Sequence, residues 1–102
     1  MESGEVSFLI EHDYKVPGGK LLRIKMELEG ELITSIQILG DFFLHPEETI
    51  IDIEDSLVNM NLDPEGLLRS VNSAMSERSA KLIGAKPEDI VAAILSASSE
   101  TE

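Results

Sequence analysis

The chain has no cysteine, no tryptophan, one tyrosine and three phenylalanines, and only 8 lysines and arginines stand against 20 acids. Each scarcity excludes something. Without cysteine there is no disulfide framework, no thiolate site for zinc or an iron-sulfur cluster, and no thiol nucleophile. No apolar run approaches the roughly 20 residues that cross a bilayer. The opening MESGEVSFLI carries acids where a signal peptide has its basic region. A soluble cytoplasmic protein is therefore expected. The formal charge of −12 makes nucleic acid and anionic membranes poor partners, because phosphate surfaces reward clustered cations.

What is present fits one small domain. A chain of 102 residues buries roughly 65% of the surface its unfolded form exposes, enough for a single modest core. The cations are unevenly spread: Lys15, Lys20, Arg23 and Lys25 are four of the eight and fall within eleven positions. From Glu27 to Glu65 the chain then holds eleven acids and no base. Such runs are usually solvated faces, with a basic ribbon facing an acidic or phosphate-bearing partner as the sharper alternative.

The first forty residues read as strands. Val6, Phe8, Ile10, His12 and Tyr14 alternate with their neighbours. "VPGGK" (16–20) is turn chemistry, since proline fixes one backbone angle and glycine accepts positive φ. Leu22, Ile24, Met26 and Leu28 alternate with charged residues, which describes a strand with one wet face. Gly30 marks a tight turn, and Leu32, Thr34, Ile36 and Ile38 are the next expected inward set. Two short turns joining three strands make an antiparallel meander that ends at Gly40.

The remainder reads as helices. Pro46 suits a first helical position, and Glu47 and Glu48 suit the positive end of the dipole. Ile50, Ile53, Leu57 and Met60 recur at helical spacing. Asp63-Pro64 starts a second helix whose stripe is Leu67, Leu68, Val71, Ala74 and Met75. Gly84 is expected to stop it, and Pro87 to start a third helix carrying Ile90, Val91, Ile94 and Leu95. The expected fold is α+β, a three-stranded antiparallel meander with about three helices on one face. One domain over 1–98 and a polar tail over 99–102 complete the expected organisation.

The junction "ILGDFFLHPEETI" (38–50) concentrates two of the three phenylalanines after Gly40 and Asp41. Gly40 permits a sharp departure from the strand, and Asp41 can bond its own backbone to hold it. Adjacent residues on extended chain point opposite ways, so one ring enters the core and the other faces outward, where it can anchor a partner. Nothing resembles a self-sufficient active site. His12 reads as a sheet residue and His45 as a helix-entry residue; a metal set of His45, Asp41 and Glu48 is the nearest approach to a cluster. "PGGK" lacks the serine or threonine and the following helix of a phosphate loop.

The order and separation of these pieces resemble the C-terminal accessory domain of lipoate-protein ligases. The matching residues are Lys15, Pro17, Gly18, Gly19, Lys20, Leu21, Gly30, Gly40, Asp41, Phe42 and Phe43, with Leu67, Leu68, Gly84 and Ile90 in the later part. The resemblance implies a fold similar to that of iron-sulfur scaffold proteins. Because Met1 precedes the motif by only fourteen residues, it also implies the split form known in archaea, where this domain is a separate subunit. The implied partner is a catalytic subunit in a heterodimer. The complex uses ATP, Mg and lipoate or octanoate to make lipoyl-AMP. Its substrates are lysines on lipoyl domains of 2-oxoacid dehydrogenases or on the glycine cleavage H-protein. In that family the small domain supports adenylation and carries no catalytic lysine, so no catalytic residue, cofactor ligand or metal ligand is assigned here. The residues Lys15 to Leu21 and Gly40 to Phe43 are candidates for the partner interface instead. An iron-sulfur scaffold role is excluded by Asp41 standing where such proteins place a cysteine. An acidic adaptor without a catalytic role is the competing reading.

Overall fold

A computed structural model describes residues 7–99 of the chain. Three strands, β1 (Ser7–Lys15), β2 (Leu21–Glu29) and β3 (Leu32–Gly40), pair antiparallel in the order β1-β2-β3. The turn between β1 and β2 puts Pro17 and Gly18 at its centre, with Gly18 at φ +69° and Gly19 N–H donating to the Val16 carbonyl at 2.8 Å. That is type II turn chemistry. Glu29 faces Leu32 across a two-residue loop in which Gly30 takes φ +62°.

The inward set of β2 is as its alternation predicts: Leu22, Ile24, Met26 and Leu28 are all buried. In β3 the expected set fails at its start. Ile33, not Thr34, is fully buried, while Leu32 and Thr34 are half-exposed. The cause is a bulge: Glu27 pairs with Ser35 but Leu28 pairs with Ile33, leaving Thr34 as the extra residue. Its hydroxyl donates to the Glu27 carbonyl at 3.0 Å, holding the bulge closed. One inserted residue flips the phase, so Ile33 joins Ile36 and Ile38 inside.

The helices are α1 (Thr49–Leu57), α2 (Pro64–Glu77) and α3 (Pro87–Ser98). They share one face of the sheet, α3 under β1 and β2, α1 under β3, and α2 against the other two. Ile53, Leu57, Leu67, Val71, Ile90 and Ile94 meet the inward sheet residues in one core. Each such side chain contributes about 1.5–3 kcal/mol by leaving water. Ala93 and Ala97 on α3 are buried too, and their small size lets that helix lie close to its neighbours. Asp63 caps α2 as expected, accepting from Gly66 N–H at 3.0 Å.

Two further strands were not expected. β4 (Phe43–His45) pairs antiparallel with β5 (Lys81–Ile83), forming a separate two-stranded ribbon. This pairing corrects two boundaries. Pro46 does not open α1, because pairing keeps the chain extended through His45; a turn over 46–48 intervenes, with Thr49 N–H donating to the Pro46 carbonyl at 3.1 Å. The His45-Pro46 peptide is cis. Gly84 does not end α2 either, since that helix stops at Glu77 and Ser79 reverses the chain at φ +48°. Met60, expected on α1, lies beyond it and accepts from Ile33 N–H at 2.9 Å. Ser96 to Ser98, of the polar C-terminal stretch, are helical, and residues 100–102 of the tail fall outside the described residues, as does Val6.

The outer edge of β3 is closed off. Asn59 N–H donates to the Ile33 carbonyl at 2.7 Å, and the Glu54 carboxylate on α1 accepts from Ile38 N–H at 2.8 Å. On β1, His12 Nε2 lies 2.9 Å from Ser96 Oγ on α3, a tie between sheet and helix rather than a ligand position.

Candidate partner-binding site

The sequence singled out two segments, 15–21 and 40–43, and the fold brings them to one end of the molecule. They meet through main-chain contacts. Asp41 N–H donates to the Leu21 carbonyl at 3.1 Å. The bend is held by this bond, so the Asp41 carboxylate is left exposed rather than folded back on its own backbone. Gly40 is required where it stands. A Cβ there would fall inside van der Waals contact of the Leu21 carbonyl oxygen and only 3.1 Å from Leu22 Cα.

Gly84, just after β5, closes the third side. A Cβ on Gly84 would lie 3.4 Å from the Asp41 carbonyl oxygen, the Phe42 Cα and the Lys20 Cγ. A Cβ on Gly19 would lie 3.4 Å from the Gly84 carbonyl oxygen. The turn, the corner and the β5 end are thus packed backbone to backbone.

The ribbon decides the orientation of the two rings. Phe42 is half-buried and packs against the core, whereas Phe43 is 75% exposed. Phe43 stands opposite Ile83, which is 63% exposed, so a cross-strand apolar pair faces water. Leu44 and Leu82, also opposite one another, turn inward. Beside Phe43 runs an open groove of about 280 Å³ floored by Ile38, Leu39, Phe42 and Ile50, with Glu47 at its margin.

The basic ribbon of the sequence splits in two. Arg23 donates to both carboxylate oxygens of Asp13, at 2.7 and 3.2 Å, and Lys25 lies 3.5 Å from Glu11. The hydrogen bond from Arg23 holds the Asp13 carboxyl below its ordinary range, and the same bond raises Arg23. Arg78 is likewise paired with Asp52, joining the end of α2 to α1. Lys15 and Lys20 have no ion pair among the described residues, and neither do Lys81 and Lys86.

The turn over 16–20 is not a phosphate cradle. Two of its amides are spent within the turn, Val16 N–H on the Lys20 carbonyl at 2.9 Å and Gly19 N–H on the Val16 carbonyl at 2.8 Å, and no helix follows it. Among the described residues no three His, Asp or Glu side chains gather to hold a metal, so His45, Asp41 and Glu48 do not form a set. Sequence reasoning missed Ile83 and Lys81, because a three-residue strand carries no periodicity; the adjacent Gly84 was the one available signal.

Three comparisons bear on this arrangement. The family model described as the bacterial lipoate protein ligase C-terminus matches residues 5–94. The chain is 30% identical over 74 residues to lipoate-protein ligase A subunit 2 of Thermoplasma acidophilum, spanning 72% of this chain and 76% of that protein. It is also similar to a chain in the structure of an archaeal lipoylation system, a bi-partite lipoate protein ligase and its E2 lipoyl domain from the same organism. There the TM-score is 0.66 at 27% identity, covering 87% of this chain and 94% of that one.

Proposed function

The chain belongs to the family of the bacterial lipoate protein ligase C-terminus, and from that premise we propose that it is the accessory subunit of a two-subunit lipoate-protein ligase. The observation that carries the proposal is the match to a named second subunit of a ligase, extending over 76% of that protein. With a catalytic subunit, it serves the ATP-dependent activation of lipoate or octanoate to the acyl adenylate. The acyl group then passes to a lysine of a lipoyl domain, such as those of 2-oxoacid dehydrogenases or the glycine cleavage H-protein.

In this reading the chain's contribution is positional. Adenylation needs a carboxylate oxygen held in line with the α-phosphorus of ATP while pyrophosphate departs. Its barrier falls through alignment, charge stabilisation and exclusion of water. The hydroxyl that does lie beside a base, Ser96 at 2.9 Å from His12, ties α3 to β1, and in the 16–20 turn the Val16 and Gly19 amides are already bonded. In this reading ATP, Mg and lipoate are held by the catalytic subunit. This chain, docked on it, fixes the arrangement that favours activation.

A reconstitution tests the proposal. The catalytic subunit from the same source is combined with an acceptor lipoyl domain, ATP, Mg and lipoate, and acceptor mass is followed with and without this chain. Lipoylated acceptor only when both chains are present is the expected result. Equal yield without this chain would remove the ligase role and leave the acidic adaptor reading.

A further inference from the structure

Among the described residues six large hydrophobic side chains stand exposed, and four of them, Leu21, Leu39, Phe43 and Ile83, belong to one end of the molecule. Leu39 and Phe43 line the same groove, Phe43 and Ile83 face each other across the ribbon, and Leu21 is a diagonal neighbour of Leu39 on the outer sheet face. Of the other two, Ile51 is on α1 outside the groove lining, and Leu9 is on β1. Leu9 is six residues up β1 from Lys15, about 20 Å away at strand rise.

Charge separates this end from the rest. The chain carries −12 overall, yet of the five cations without an ion pair among the described residues four, Lys15, Lys20, Lys81 and Lys86, gather here, the fifth being Arg69 on α2. Lys81 shares the outer face of the ribbon with Phe43, His45 and Ile83, because alternate strand residues point the same way. The Lys20 stem lies against Gly84, next to Ile83, and Lys86 follows two residues later. A two-stranded ribbon is marginal alone, and this one has its inner face on the core and its apolar outer face open. An apolar centre with Lys20, Lys81 and Lys86 on its Ile83 side, and Asp41 and Glu47 toward the groove, complements a surface with an apolar pocket and carboxylates set to meet those cations.

We infer that the end formed by Phe43, Ile83 and Leu39, flanked on its Ile83 side by Lys20, Lys81 and Lys86, is the surface with which this chain docks on the catalytic subunit of the ligase. The inference rests on the accessory-subunit reading. It leaves the far part of the sheet's wet face, with the Glu11–Lys25 pair, to solvent, while the Asp13–Arg23 pair borders the surface because Arg23 stands opposite Leu39. It also assigns the partner a chemistry: an apolar recess for the Phe43 ring, bordered by Asp and Glu.

The test is titration calorimetry of the purified catalytic subunit with this chain, wild type and variants, each also assayed for stimulation of lipoylation. The double variant Phe43→Glu, Ile83→Glu is expected to bind at least about thirtyfold more weakly, the loss typical of a central anchor. Leu9→Glu, on an equally exposed leucine, is expected to bind within threefold of wild type. Raising salt weakens the wild-type complex, and Lys20→Glu, Lys81→Glu reduces that salt dependence. Circular dichroism and a urea midpoint verify folding, and Phe43→Ser, Ile83→Ser serves in its place if the double glutamate does not fold. Folded double variants that bind within threefold of wild type would overturn the surface assignment while leaving the subunit role intact. A wild-type chain that neither binds nor stimulates the catalytic subunit would overturn the subunit reading itself, and the assignment with it.

Discussion

Replacing Gly40 by alanine places a methyl carbon inside contact distance of the Leu21 carbonyl oxygen, 3.1 Å from Leu22 Cα and 3.2 Å from Leu22 Cδ2. Two of these neighbours are backbone of a central strand, fixed by pairing on both sides, so relief requires moving β2 or opening the corner. Overpacking of this kind costs about 1–3 kcal/mol. The φ of +156° adds a conformational penalty of about 1–2 kcal/mol for a residue with a Cβ. The sum, about 2–5 kcal/mol, is a large share of the roughly 5–15 kcal/mol that holds a domain of this size. Gly30→Ala is the matched control. Gly30 also has positive φ, +62°, but a Cβ there meets nothing within 4 Å, leaving about 1 kcal/mol of conformational cost alone. In urea, with a slope near 1.5 kcal/mol per molar, the midpoint is expected to fall by about 1.3–3.3 M for Gly40→Ala and about 0.7 M for Gly30→Ala. Equal midpoints for the two variants would refute the claim that close backbone approach, rather than turn conformation, demands glycine at the corner.

Three other perturbations are informative. Glu54→Ala removes the charged acceptor on Ile38 N–H and is expected to destabilise by about 1–3 kcal/mol, with faster amide exchange at Ile38; Glu54→Gln, which keeps an acceptor, is expected to retain most of the stability. Thr49 is fully buried and its hydroxyl has no hydrogen-bond partner among the described residues, so the near-isosteric Thr49→Val is expected to be neutral or stabilising by up to about 2 kcal/mol in thermal unfolding. The Asp13 carboxyl, held low by Arg23, is expected to titrate by NMR below the ordinary range of an aspartate. Its folded value lies under its unfolded value, so the stability it contributes is present above the unfolded pKa and lost as pH falls through the folded one; Arg23→Gln abolishes the shift.

The three-stranded meander was legible because a sheet wetted on one side imposes strict alternation, and Pro17-Gly18 and Gly30 supply the turns. The bulge at Thr34 was not, since one inserted residue reverses the phase within a run that is apolar on both faces at Leu32-Ile33. The β4–β5 ribbon was invisible for a different reason. Its pairing joins residues some forty apart in sequence through three-residue strands, too short for any period, and neither Phe43-Leu44-His45 nor Lys81-Leu82-Ile83 shows itself without its partner. The candidate site inherits this division. Residues 15–21 and 40–43 were found from their turn chemistry and resemblance. The choice of Phe43 over Phe42 as the outward ring depends on the ribbon, and so does the arrival of Ile83 and Lys81 beside it. The basic ribbon of the sequence proved to be two things, since the acids that pair with Arg23 and Lys25 lie ten and fourteen residues away on β1.

The most direct test of the accessory-subunit account is the initial rate of acyl adenylate formation from ATP and lipoate, without acceptor protein, by the catalytic subunit alone and with this chain added. The account predicts adenylate formation that depends on this chain and saturates at one chain per catalytic subunit. Formation at the same rate by the catalytic subunit alone would contradict it.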